Sequence, residues 1–523
     1  MSNYVFGANI LENLTTGMYK DSKVIYREYI QNAADQIDKA EEQGILQKGE
    51  GEIQIWLDSK KRIITIEDNA TGISANDFVR ILGNIADSDK IIGQDKGFRG
   101  IGRLCGLAYC KELRFISSAK GETIISTMTC NAKKMRDLIT ESNSGQKHTA
   151  EYVLMNSCEF STQKTEDTDK HFFKVEMIEI NEENTELFNF PEVNDYLSFV
   201  APVPYQNTFL FRKKVYNYAE EIGTKIDEYK IKLDGTQIFK KYNTDLLDKN
   251  GNLSDKITDI EFQKFYDSEN NLIAWMWFGL SAFSGVIPQN NKMRNLRLRK
   301  ENIQIGDENA LKIIQKEESR GINYFVGEIF AVSKDLIPNS QRDFFNENPM
   351  RILFVRKLKD YFENTLFQIY QNASKYNSAL RKEVEVKKDF QDKKDKGLFI
   401  DENHLKKEQS KLEEVKSKAN ELSVKAHNKI KKADSEEAKI FNKVFSNIRE
   451  KHAVQPKETT AVISKQENSV YLHDKLSQLN ESEKNIVSQI CKTILDSVDG
   501  KNLDKQTANF IITKIQERLL KDK

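Results

Sequence analysis

Apolar and polar residues alternate over residues 52–57 (EIQIWL) and 62–67 (RIITIE), with Asp58-Ser59-Lys60-Lys61 between them. A period of two is that of a half-buried strand, and the polar gap makes the pair a hairpin. Residues 111–117, 124–130, 151–155 and 171–180 read as further strands. Upstream the period changes. Val24, Ile25, Tyr29, Ala33 and Ile37 line one face of a helix that Asp21 or Ser22 caps and that ends near Gln43, with Gly44 as its C-cap. Val5, Phe6, Ile10, Leu11 and Leu14 form a short strap ahead of it, and residues 76–86 form another helix. The N-terminal unit is therefore α+β, with helices on one face of a largely antiparallel sheet.

Downstream, Val193, Tyr196, Leu197 and Val200 mark a helix, and Ala201-Pro202-Val203-Pro204 a junction. Residues 206–370 mix strands and helices. Residues 272–280 are a buried strand, 295–305 a hairpin around Lys300-Glu301-Asn302, and 324–332 another strand. From 354 to about 451 Lys, Glu, Asp, Gln and Asn dominate. Leu405, Leu412, Ala419 and Ala426 recur every seven residues, with Val415 and Leu422 at the offset seam, as in a short coiled coil or antiparallel helical hairpin. Gly397 marks a turn. Residues 451–469 read as a linker. Residues 470–523 hold two amphipathic helices, a pair too small to hide its apolar faces alone, so it docks on a partner, most simply its own copy. The expected division is 1–185, 186–370, 371–450, 451–469 and 470–523.

Composition changes this picture little. Lys+Arg and Asp+Glu are both 80 in 523 residues, so no global charge argues for nucleic acid or membrane. The length suits about three domains at roughly 150 residues each. Cys105, Cys110, Cys130, Cys158 and Cys491 are odd in number and form no C-x-x-C pair. They read as reduced thiols of a cytoplasmic protein without a zinc site. No signal peptide precedes residue 20, and no apolar run is long enough to span a bilayer.

Three polar clusters carry chemistry. Glu28, Asn32 and Asp35 fall at i, i+4 and i+7 on one helix face, where a carboxylate polarises water and a carboxamide coordinates magnesium. Taken alone the stripe is equally a solvated face. Asp68, in Asp68-Asn69-Ala70-Thr71-Gly72-Ile73, closes a strand. It suits an adenine amino group, with Gly72 allowing close approach; a surface turn is the alternative. Gly97-Phe98-Arg99-Gly100-Ile101-Gly102-Arg103 leads into an apolar helix, where free N–H groups cradle phosphates. A Walker-type loop is absent, and the glycine pattern follows a charged loop rather than a strand, so a dinucleotide fold is excluded.

These motifs, in this order, resemble those of the GHKL ATPases: gyrase-type topoisomerases, heat-shock-90 chaperones, histidine kinases and MutL-type proteins. The likeness is strongest to the heat-shock-90 and MORC-like branches. Residues 85–94 are similar to the chaperones' lid and its exit. The resemblance implies a Bergerat α/β sandwich, a ribosomal S5-like transducer domain and a C-terminal helical region. It implies Glu28 as general base, Asn32 on magnesium, Asp68 and Gly72 at the adenine, and Asp35 in support. Ser88, Gly97, Arg99, Gly100, Ile101, Gly102 and Arg103 would serve as lid and phosphate cradle. Arg342, in Asn339-Ser340-Gln341-Arg342-Asp343, resembles the cationic residue that the second domain sends to the γ-phosphate; Gln341 would assist, and Lys292 and Arg294 are rivals. An Arg342 paired with Asp343 or Asp335 at the surface is the alternative. Two departures stand out. Ala70 replaces a usual glycine, and Lys170-His171 stands near a usual Gly-Thr, with Thr168 the nearest threonine.

The implied function is a Mg-ATP-hydrolysing, nucleotide-gated dimeric clamp acting on a client protein or DNA, with no membrane partner. A phosphotransferase of the histidine-kinase type needs an acceptor histidine ahead of the ATPase unit, and none precedes His148. The other alternative is a nucleotide-gated interaction or DNA-associated component of a multi-protein defence or repair system with little turnover.

Overall fold

The computed structural model describes residues 6–14, 21–84, 102–314, 321–395, 397–399, 402–432, 435–453, 479–499 and 503–521. An eight-stranded sheet organises the first half. Its strands are β1 (Glu52–Asp58), β2 (Ile63–Asp68), β3 (Cys110–Ser118), β4 (Ile124–Asn131), β5 (Cys158–Lys164), β6 (Phe172–Ile180), β7 (Lys230–Leu233) and β8 (Thr236–Gln237). Their spatial order is β5-β4-β3-β6-β2-β1-β7-β8. All neighbours are antiparallel except β1 and β7. β7 and β8 come from beyond residue 185, and β7 pairs in register with β1 from Glu52↔Lys230 to Ile55↔Leu233.

Alternate residues of β1, β2, β3 and β6 are buried, and the helices bury their apolar faces against that side. These are α1 (Asn9–Leu14), α2 (Val24–Glu42), α3 (Ala75–Gly83), α4 (Ala132–Asn143), α5 (Ala150–Ser157) and α6 (Phe190–Val200). Two expectations are corrected. The 151–155 segment is helical, not extended. The Thr149 side chain accepts from the Tyr152 N–H, and that cap starts a helix in a stretch whose apolar run looks strand-like. The residue before α2 is Lys23, with no side-chain cap. Asp21 accepts from the Lys23 N–H, and the Ser22 hydroxyl turns instead to Glu186. Gly44 does take the left-handed conformation at the helix end, φ +71°.

A second sheet follows, after α7 (Arg212–Glu221) and the small pair β9 (Asp245–Leu247) and β10 (Leu253–Lys256). It contains β11 (Asp259–Tyr266), β12 (Leu272–Leu280), β13 (Asn295–Lys300), β14 (Ile303–Ile305) and β15 (Val326–Ala331), ordered β11-β12-β15-β13-β14. β13 runs parallel to β15, and the other pairs are antiparallel. β13, β14 and β15 are buried along their whole length. Trp275 and Trp277 pack under Tyr205, Phe209, Val215 and Ala219 on one face. Phe278 on the other face meets Tyr361 of α8 (Pro349–Tyr361). Both sheets lie in one compact unit, residues 1–280 with 286–364.

The second unit is residues 281–285 with 365–523. Its described helices are α9 (Phe367–Asp395), α10 (Glu402–Lys432), α11 (Ser435–Ala453), α12 (Glu481–Asp499) and α13 (Lys505–Lys521). α9, α10 and α11 pack on one another. Gly397, φ +60°, turns the chain between α9 and α10. On α10, Ala419 is buried and Leu405, Leu412, Val415 and Leu422 are half-buried, so the seven-residue seam is the one that packs. The expected linker falls almost wholly outside the described residues. No described helix is long and apolar enough to cross a membrane.

Candidate functional site

The site grows from α2, which is buried nearly all round rather than on one face. Glu28 is 8% exposed and Asp35 3%, with Asn32 half-buried between them. Three polar groups on one stripe are thus enclosed, which a solvated helix face would not require. The Arg27 guanidinium holds the Glu28 carboxylate, Nη2 to Oε1 at 2.9 Å and Nε to Oε1 at 3.2 Å. The same Nη2 reaches the Gln341 carbonyl at 3.3 Å.

Arg342 joins them from the second sheet's side. It is buried and left-handed, φ +54°, in a turn where its N–H donates to Asn339 O and its carbonyl accepts from Gly306 N. A non-glycine residue held there is strained, and such strain collects at functional sites. Burial weakens the hold of Arg342 on its proton; Glu28 is the largest charge restoring it, against Arg27, with Glu301 and Asp35 adding to Glu28. Asp343 is exposed and takes the Asn339 amide. Of the rival cations, Lys292 is exposed, and Arg294 reaches the Ile287 carbonyl at 3.4 Å.

Asp68 ends β2, 4% exposed, between Ile53 of β1 and Phe173 of β6. Its Oδ1 accepts from the Ala70 N–H at 3.0 Å. Burial raises its pKa to about 7; Ala70 N–H opposes the rise, Glu67 adds to it and Phe173 N–H opposes it. The loop after it is fixed on all sides. Asn69 caps the Glu52 N–H at 2.7 Å, and Thr71 donates to Gln36 of α2 at 2.9 Å. Gly72 takes φ +65°, and a Cβ there would collide with the Ser118 carbonyl. Only glycine lets these two backbones approach so closely. Ala70, the departure from the usual glycine, lies outside the left-handed region, so alanine fits.

Two residues that sequence reasoning missed, Ser117 and Ser118, and one that it named without a role, His171, complete this wall. Ser117 accepts from the Ile73 N–H and donates to the Phe172 carbonyl, both at 2.8 Å. Ser118 presents the carbonyl that meets Gly72. The His171 Nδ1 lies 2.5 Å from the Ala70 carbonyl, so the residue near the usual threonine braces the Asp68 loop. The small pair Ser117-Ser118 at a strand end was the one signal available.

Gly102 and Arg103 are the described part of the glycine turn. The expected apolar helix is a short 3₁₀ stretch, Gly102–Ala108, pinned by the Tyr29 hydroxyl, which donates to Arg103 O at 3.0 Å and accepts from Gly106 N at 3.1 Å. A Cβ at Gly102 would strike Glu28 Oε2, so this turn seats directly on the carboxylate. Arg103 is committed to the α3 end, donating to Ile81 O at 2.8 Å and to Asn84 O. Ser88, Gly97, Arg99, Gly100 and Ile101 lie outside the described residues.

The raised Asp68 pKa has a measurable sign. An adenine amino group needs the ionised carboxylate as acceptor. Should Asp68 take an adenine amino group, as the resemblance implies, adenosine affinity rises about tenfold from pH 6 to pH 8 and then levels, following the ionised fraction of a group near 7. Folding stability without ligand runs the other way. The folded carboxyl keeps a proton that the unfolded chain releases, so stability falls from about pH 4 to about pH 7. Calorimetric titration of adenosine between about pH 6 and pH 8 checks the first, and urea unfolding between about pH 4 and pH 7 the second.

Residues 21–184 match the family described as histidine kinase-, DNA gyrase B- and HSP90-like ATPase. An endoplasmin homolog of Catharanthus roseus is 34% identical over 89 residues, 16% of this chain and 11% of that protein. The chaperone protein HtpG of Rhodospirillum rubrum is 32% identical over 87 residues, 16% of this chain and 14% of that protein. HtpG of Coxiella burnetii is 33% identical over 85 residues, 15% of this chain and 13% of that protein. The chain thus spans only about a tenth to a seventh of the length of these relatives.

Proposed function

From the premise that residues 21–184 are an ATPase domain of the histidine kinase, gyrase B and HSP90 type, we propose that this protein binds and hydrolyses Mg-ATP as a nucleotide-gated, dimeric, chaperone-like clamp. The observation that carries the reading is the Arg27 guanidinium, which holds the buried Glu28 carboxylate and also reaches the Gln341 carbonyl, next to buried Arg342.

Each residue has one task. Asp68 accepts from the adenine amino group, in a slot kept narrow by Gly72 and Ser118. Glu28 aligns a water for attack on the γ-phosphorus and takes its proton as the bond to the β-γ bridging oxygen breaks, giving ADP and phosphate. Arg27 orients that carboxylate. Arg342 offers a fork that matches phosphate geometry, so its approach ties the second domain to the third phosphate. The Asn32 carboxamide would hold magnesium, a hard cation that takes most of its ligands from phosphates and water and would supply charge neutralisation to the phosphates. The exposed apolar residues Ile486, Ile490 and Phe510 of α12 and α13 support self-association.

The reading is tested by ATP binding and phosphate release on the full chain. Asp68→Asn is expected to lose ATP affinity by about 1–3 kcal/mol, since an amide turns a donor toward the adenine amine. Equal affinity in that variant contradicts the pocket. Wild-type protein that binds ATP without steady-state phosphate release supports the little-turnover alternative instead.

A further inference from the structure

A cavity of about 1320 Å³ opens in the first unit beside the N-terminus of α2, bounded by α6, the β13–β14 hairpin and the 339–347 loop. It contains none of Asn32, Asp68 or Gly72. Its charges are sorted by depth. Arg27, Arg297 and Arg342 are buried, Arg294, Arg351, Asp195 and Glu308 half-buried, and Asp21, Glu192, Asp307, Asp343 and Glu347 exposed.

Arg297 is the residue that calls for a ligand. It is 6% exposed in the middle of β13. Its Nη1 donates to Gln304 Oε1 at 3.0 Å, its Nη2 to the Lys292 carbonyl, and its plane lies 4.3 Å from the Phe199 ring. Its Nε is buried with no hydrogen-bond partner. None of these partners is a carboxylate. Glu328, its register neighbour on β15, is already bound by Arg299, Lys240 and the hydroxyls of Tyr205 and Tyr242. Asp195, Glu347 and Asp21 on the cavity wall are engaged by Lys241, Arg351 and Lys23. Glu308, half-buried on the same wall, favours the charged guanidinium, but no carboxylate hydrogen-bonds Arg297, and a guanidinium taken out of water without a paired counter-charge is costly.

We propose that this cavity is a second anion site that takes a small phosphate-bearing ligand, with Arg297 as its floor. The rigid fork of a guanidinium matches phosphate oxygens, and the remaining arginines add charge at the walls. The site is distinct from the adenine slot, since its lining includes none of Asn32, Asp68 or Gly72. It adjoins Glu28 through Arg27 and Arg342, so an anion here biases the geometry over that carboxylate.

Isothermal titration of inorganic pyrophosphate into the full chain tests this, in wild type, Arg297→Met and Arg297→Lys, with ATP affinity measured alongside. Saturable pyrophosphate binding is expected in wild type, at least tenfold weaker in Arg297→Met and intermediate in Arg297→Lys, with ATP affinity unchanged in both. Thermal unfolding adds a readout that a structural arginine would not produce. Pyrophosphate raises the wild-type midpoint but not that of Arg297→Met, whose midpoint without ligand is no lower than wild type. The proposal is overturned by absent pyrophosphate binding, by equal binding in Arg297→Met, or by parallel loss of ATP affinity. A lowered unliganded midpoint in Arg297→Met with binding unchanged would also overturn it.

Discussion

Glu28→Ala is expected to abolish ATP turnover, by about 10²–10⁴-fold, while ATP affinity stays within a few-fold of wild type. The asymmetry follows from position. Glu28 sits one helical turn before Asn32 and seven residues before Asp35, toward the end of α2 that Arg27 and Arg342 approach, and away from Asp68 and Gly72. A group that aligns water matters in the transition state and little in the ground state. The variant also removes the carboxylate that Arg27 binds, so Glu28→Gln is the necessary companion. The carboxamide keeps an oxygen for Arg27 and the same volume but cannot take a proton. Turnover lost in both variants, with ATP still bound, marks a base. Turnover lost in alanine and kept in glutamine marks a structural partner of Arg27. Single-turnover phosphate release and equilibrium ATP binding separate these outcomes.

Much of this arrangement was legible in the chain because the relevant signals are local. The hairpin of β1 and β2, the apolar run of β12 and the hairpin around Lys300-Glu301-Asn302 each follow from residue periodicity within ten positions. So does the face of α2, since Glu28, Asn32 and Asp35 share it by helical geometry alone. The turn after Asp68 was readable from its glycine, whose left-handed φ is what that residue type is for.

What stayed hidden depends on pairing across long stretches of chain or on context. β5 carries one large apolar residue, Phe160, because it is the sheet's edge and faces solvent on most sides, so no alternation marks it. α5 has the composition of a strand, and the Thr149 cap decides against it. β7 enters the first sheet by pairing with a strand some 180 residues earlier, a register no local pattern encodes. Ser117 and His171 reach the Asp68 loop only because β3 and β6 lie side by side. Arg297 and Arg299 look like the solvated face of an alternating strand; both are buried, and only the fold tells which has a carboxylate.

That carboxylate is Glu328, and Glu328→Ala is expected to destabilise the first unit by about 3–5 kcal/mol, the usual cost of breaking a buried ion pair from one side. Glu328 is wholly buried with Arg299 and Lys240, which it bridges, Lys240 Nζ at 3.1 Å. Burial would raise its pKa, but Arg299 first and then Lys240 outweigh that and hold the carboxylate down. Removing it strands two cations in a dry core. Lys240 already holds its proton weakly, through burial and then Arg299, so it escapes by neutralising; Arg299 cannot. The damage reaches the ATPase helix by a continuous chain. Lys240 also donates to Asn302 at 2.6 Å, Asn302 to the Asp227 carbonyl, and Tyr229, two residues on, to Asp38 of α2 at 2.7 Å. Urea unfolding should therefore show loss of stability in Glu328→Ala. The triple change Glu328→Leu, Lys240→Met, Arg299→Met should cost less, because no charge is left unpaired. If the triple variant is the worse of the two, the network contributes attraction beyond its own desolvation, and the two sheets are joined by charge rather than by the apolar packing around Trp277.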